Sequence, residues 1–101
     1  MLNEVNLMNI ADEILHETKK VLAFFSSQAF PLCIPQNEAV EKFSEEHREI
    51  KCVIINSDKS PDLSVLYGIM SAPTLVLFEN GKEMKRTSSV LSAEEIEGFV
   101  K

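Results

Sequence analysis

Apolar residues run without alternation through Val21-Leu22-Ala23-Phe24-Phe25, and again through Leu75-Val76-Leu77-Phe78. A strand buried on both faces needs such a run, so Val21–Phe25 predicts a central strand. Lys51-Cys52-Val53-Ile54-Ile55-Asn56, apolar and β-branched, predicts a second strand. Pro73 has no N–H to give a ladder, so it opens the strand Thr74-Leu75-Val76-Leu77-Phe78 in a tight approach that suits a cis X-Pro bond. Asn80-Gly81 then signals a type I′ hairpin into Lys82-Glu83-Met84-Lys85-Arg86.

Between these runs the spacing becomes helical. Asn9 is placed to cap a helix from Ile10 to about Thr18, with Asp12 and Glu13 in its first turn and Ile10, Ile14 and Leu15 on one side. Pro31 suits a first helical turn, whereas Pro35 either opens the regular helix or bends it. The helix proper is therefore expected over Gln36 to about Arg48, with Ala39, Val40 and Phe43 inward and Glu38 paired to Lys42 outside. Ser60-Pro61 supplies a cap and a first-turn proline for a short helix carrying Leu63, Leu66 and Tyr67, which Gly68 ends. Ser92-Ala93-Glu94-Glu95 reads as a capping box, and Leu91 with Ile96 as a hydrophobic staple, for a last helix that buries Ile96, Phe99 and Val100.

The order is helix, strand, helix, strand, helix, hairpin, helix. Its strand-helix-strand part requires a right-handed parallel crossover, and the hairpin adds antiparallel strands to the same sheet. The expected fold class is α/β: three layers, α/β/α, with a mixed central sheet, in a single domain over residues 1–101.

Charge narrows the partners. Lys and Arg number 10 against 16 Asp and Glu, a net charge of −6 with no basic stripe, which argues against nucleic acid or an anionic membrane as partner. Residues 1–17 lack a basic start and an unbroken apolar stretch, and no run is long enough to span a bilayer, so a cytoplasmic location is expected. Two cysteines, Cys33 and Cys52, are too few for a disulfide framework, and with His16 and His47 they do not form a metal site. No cofactor is expected, and the residues leave the oligomeric state open.

The segment Ser71-Ala72-Pro73-Thr74-Leu75-Val76-Leu77-Phe78-Glu79-Asn80-Gly81-Lys82 closely resembles the proline-strand-turn segment of thioredoxins. The resemblance extends over most of the chain through Asn56-Ser57-Asp58 and Tyr67-Gly68-Ile69. It implies the thioredoxin fold and a cis proline facing a Cys-Gly-Pro-Cys motif at a helix start. In an ungapped register Phe24-Phe25-Ser26 falls on the family's Phe-Trp-Ala, and Ala29-Phe30-Pro31-Leu32 falls on that motif. Only Pro31 agrees with it. The family's buried acid falls on Ala23, and Ser88-Ser89 stands where the family has a glycine.

A thiol at a helix N-terminus meets unpaired N–H groups and the positive dipole end, which hold it as thiolate, and a second thiol three residues on resolves the mixed disulfide. Ala29 and Leu32 do neither. Cys33, one place late, reads either as a single catalytic thiol or as a small apolar filler sharing its side with Val40. Cys52 reads as a core residue, and a helix start and a mid-strand position argue against the roughly 7 Å Cα separation that a disulfide needs. Two functions follow. The first is a redox-inactive module that takes a client protein or peptide at a groove formed by Phe25, Gln28, Ala29, Phe30, Pro31, Leu32, Ala72 and Pro73. The second is a single-thiol disulfide oxidoreductase working through Cys33 in cell redox homeostasis. A third reading is an engineered replacement of a reactive residue at Ala29.

Overall fold

The structure, a computed structural model, describes residues 2–101. Its sheet has five strands in the order β1-β3-β2-β4-β5. These are β1 (Asn3–Glu4), β2 (Val21–Ser26), β3 (Lys51–Asn56), β4 (Thr74–Glu79) and β5 (Lys82–Thr87). Strand β3 runs parallel to both β1 and β2, with Ala23 opposite Val53, while β4 is antiparallel to β2 and β5. The helices are α1 (Cys33–Glu46), α2 (Pro61–Leu66) and α3 (Ala93–Phe99), preceded by a π-helical turn at Ala11–Leu15.

Alternation along the buried strands builds two cores, one on each face. Leu22, Phe24, Leu75 and Leu77 point toward α1 and α3, where Val40, Phe43, Ala93 and Ile96 meet them. Val21, Ala23, Phe25, Val76 and Phe78 point the other way, onto Ile10 and Ile14 of the N-terminal segment and Leu63 of α2. Both faces of the sheet are thus covered, and the three-layer α/β/α fold with a mixed sheet expected from the pattern is the one formed.

Four local expectations change. Asn9 does not cap a helix; its side-chain Oδ1 accepts from the Asn6 N–H at 2.8 Å, its Nδ2 donates to the Glu4 carbonyl, and the chain winds only one π-helical turn. Helix α1 begins one turn earlier than Gln36, because Pro35 falls within the first turn, where a missing N–H costs nothing. Lys42 reaches Glu94 of the neighbouring α3, at 3.8 Å, rather than Glu38. Leu66 is exposed, since a helix as short as α2 buries a narrow stripe through Leu63. Strand β1 was not expected at all: two residues carry no pattern.

The hairpin and the last helix follow the sequence signals closely. Asn80 and Gly81 both take positive φ, 53° and 78°, as a type I′ turn requires. A Cβ on Gly81 would lie 2.5 Å from the Leu15 carbonyl oxygen, so glycine also lets the turn dock against the N-terminal segment. Ser92 caps α3: its Oγ accepts from the Glu95 N–H, and the Ser92 N–H donates to the Glu95 carboxylate.

Candidate functional site

The C-terminal ends of β2 and β3 deliver two polar turns to one end of the sheet. Ser27 follows β2 and Asp58 follows β3, and parallel pairing of Ser26 with Asn56 sets them side by side. Asp58 accepts from the Ser27 hydroxyl and from the Gln28 N–H, each at 2.8 Å. The bond from the Gln28 N–H, then that from Ser27, holds the Asp58 carboxyl below its ordinary value of 3.8. Ser27 Oγ in turn accepts from the Ala29 N–H at 3.2 Å. One carboxylate therefore fixes the loop that carries Gln28, Ala29 and Phe30.

The loop turns into α1 through Phe30, whose carbonyl accepts from the Cys33 N–H at 3.0 Å. Leu32 is the N-cap residue and offers no side-chain cap. The Ala72–Pro73 peptide is cis, and Ala72 shares a cleft with Phe30. Thr74, buried at the head of β4, donates its Oγ1 hydrogen to the Ser71 carbonyl at 2.8 Å and lies 3.1 Å from Ser88 Oγ. The segment that opens the hairpin is pinned to its own strand.

Phe30 stands 45% exposed as a ridge between two clefts. On one side, about 320 Å³ lies between Phe30, Ala72, Met70, Ile69, Val65 and Asp58. On the other, about 540 Å³ lies between Phe30, Pro31, Cys33, Ile34, Gln28 and Ile54, extending to Asn37 and Glu38. Of the groove residues expected from the sequence, Phe30 and Ala72 meet across the first cleft. Gln28 and Pro31 belong to the second. Ala29 and Leu32 are exposed at the rim, lining neither, and Pro73 is buried behind the surface. Phe25 is corrected: it has no exposed surface, because its strand position points it into the core against α2 and the N-terminal segment, edge-on to Tyr67 at 6.3 Å. It supports the groove from beneath rather than lining it.

Sequence reasoning missed Val65, Met70 and Asp58. Val65 and Met70 are 81% and 95% exposed, and the available signals were an apolar residue outside the inward stripe of α2 at Val65 and an apolar residue in the loop after Gly68 at Met70. Asp58 had no local signal, since its partners lie about thirty residues back in the chain. Gln36 was also missed: a fully buried amide in α1, it donates to the Leu91 carbonyl at 2.9 Å and accepts from the Leu91 N–H at 2.8 Å.

Both cysteines are unpaired. Cys33 sits in the first turn of α1, only 5% exposed, and packs in the same core as Val40 while touching the wall of the larger cleft. Burial pushes the Cys52 thiol up to about 12, so it stays protonated at neutral pH.

The Thioredoxin family model matches residues 2–101. Among similar proteins are the thioredoxin of Mycoplasma genitalium, 31% identical over 85% of this chain and 84% of that protein, and the thioredoxin of Alicyclobacillus acidocaldarius, 31% identical over 78% and 76%. The chloroplastic M-type thioredoxin of Pisum sativum is 33% identical over 90% of this chain, which spans about half, 54%, of that protein's length. With the α/β/α sheet, the proline hairpin and these relatives together, the chain belongs to the thioredoxin family.

Proposed function

We propose that this chain is a redox-inactive thioredoxin-fold module that receives an extended segment of a client protein or peptide at the groove between Phe30 and Ala72. The observation that carries the reading is the loop entering α1, which presents Ala29 and Leu32 and no thiol, while Cys33 is packed into the core and the half-buried Cys52 holds its proton up to about 12. Disulfide exchange starts with attack by an accessible thiolate, and neither Ala29 nor Leu32 supplies one. What the groove does offer is apolar surface from Phe30, Val65 and Met70 beside Ala72, at the head of a strand, a setting in which an extended chain can lie. Two unpaired cysteines suit a reducing compartment such as the cytoplasm.

The test is reduction of a disulfide-linked model peptide by the prereduced protein. A rate no higher than that of the protein with both thiols blocked supports the module, and turnover above it overturns the reading. The Ala29→Cys/Leu32→Cys double variant is the positive control, because it restores two thiols spaced three apart at the helix start.

One observation favours a second reading. Cys33 combines a first-turn position with a place on the cleft wall, the setting a single-thiol oxidoreductase would use. Its mark would be iodoacetamide labelling of Cys33 with a midpoint well below the free-thiol value of about 8.5, lost in Cys33→Ser.

A further inference from the structure

The cleft on the α1 side of Phe30 does not end at Asn37. A second depression of about 490 Å³ continues it, sharing Asn37 and Ile54 as walls and bounded beyond them by Leu2, Asn3, Glu4 and Glu41. Together they form a channel between the outer side of α1 and the β1–β3 edge of the sheet. It meets the proline groove only at Ser27 and Phe30.

Two properties of this channel point to the same occupant. Its upper end has apolar walls, with Phe30 and Ile34 respectively 45% and 68% exposed. The charged residues that line its length are Glu38, Glu41 and Glu4, with no Lys or Arg among the lining residues. Asp58 adds a further carboxylate on the far side of the Phe30 ridge. Glu38 and Glu41 are adjacent on the helix surface, three residues apart. The described ion pairs do not draw on them: Lys42 is turned to Glu94, and Lys51 to Glu13 and Glu17.

We propose that this channel is an interaction surface for a basic, extended polypeptide segment, which seats one bulky apolar side chain against Phe30 and Ile34 and lays Lys or Arg side chains along Glu38, Glu41 and Glu4. Charge complementarity of this kind selects the partner's sign and speeds encounter, while the apolar anchor supplies the contact that holds it. The surface is separate from the proline groove, so it stands whether that groove binds a client or not.

The experiment titrates fluorescein-labelled nonapeptides carrying one central Phe and three Lys, three Glu or three Ser into the 15N-labelled full chain, by anisotropy and by amide chemical shift. The Lys peptide is expected to bind at least about tenfold tighter than the Glu peptide at low salt, with a gap that narrows as salt is added. Shifts are expected at Ile34, Asn37, Glu41 and Ile54. The Glu38→Lys/Glu41→Lys variant, altered at surface positions and checked for an unchanged amide spectrum, is expected to reverse the preference. Equal affinity for the three peptides overturns the proposal, as does failure of all three to bind. Shifts confined to Val65–Thr74 also overturn it, and that outcome leaves the proposed client groove between Phe30 and Ala72 intact.

Discussion

At the residue scale, the two cysteines show how environment outweighs chemical identity. Cys52 lies on β3 with its thiol toward the Ile50 carbonyl, 3.9 Å away, and burial raises it to about 12 against a reference of 9.0. At pH 9 the unfolded chain would hold this group about half as thiolate and the folded chain about one part in a thousand. Native alkylation at Cys52 is therefore expected to run roughly several-hundred-fold slower than in urea, measured by mass spectrometry over time. Stability follows the same sign. It is unaffected by this group below pH 9 and falls as pH rises from there toward 12, because only the unfolded chain releases the proton in that range.

Asp58 behaves in the opposite sense. Its lowered value means that its contribution is present above the ordinary carboxylate range and is lost as pH falls through the folded value. Asp58→Ala is expected to release the Ser27–Ala29 loop, seen as at least about tenfold faster hydrogen exchange at the Gln28 amide, with the global unfolding midpoint little moved. A Gln28 amide whose exchange is unchanged would show that the loop holds itself.

Elements are joined by contacts that no single segment encodes. Gln36 ties α1 to the entrance of α3 through both the N–H and the carbonyl of Leu91. Gln36→Ala would leave that N–H and carbonyl unpaired beneath the surface, and is expected to cost about 2–4 kcal/mol in urea unfolding. Protection of α3 amides should fall with it. Arg86 plays a similar part in β5, donating to the carbonyls of Tyr67 and Gly68 and bonding both oxygens of Glu83.

This divides what the sequence makes legible from what it does not. Strands β2, β3 and β4, the Asn80-Gly81 turn and the Ser92 capping box are local signals, written within a few residues, and they stand close to where the pattern puts them. The start of α1 was misplaced by a turn because Pro35 allows two readings, and only packing of Cys33 into the core selects between them. The clefts beside Phe30 were half legible. The loop and proline residues were found, but the Asp58 clamp and the α1-side channel depend on pairings across the sheet, which spacing along one chain does not reveal.

On the scale of the whole molecule, the sheet divides the interior into two cores with different tasks. The one facing α1 and α3 carries Cys33 and supports the channel; the other, against α2 and the N-terminal segment, supports the proline groove from below through Phe25. Phe30 is where the two surfaces meet, so a substitution there touches both clefts without touching either core. No helix among the described residues is long and apolar enough to cross a membrane.

Ala23 sits at the centre of this division, fully buried between Val53 and Val76 on its two neighbouring strands. The family resemblance implies an acid at that position, and a carboxyl there would be held far from water and pushed up in pKa. Ala23→Asp is accordingly expected to lower the melting temperature more at pH 7 than at pH 4, since the folded chain would favour the protonated acid and lose ground as pH rises above the ordinary carboxylate range. Equal losses at both pH values would assign the effect to packing alone. A methyl group in that place relieves the interior of a burden that a proton-relaying protein must carry. A scaffold spared that cost is expected to tolerate more substitutions on its outer surface before it unfolds.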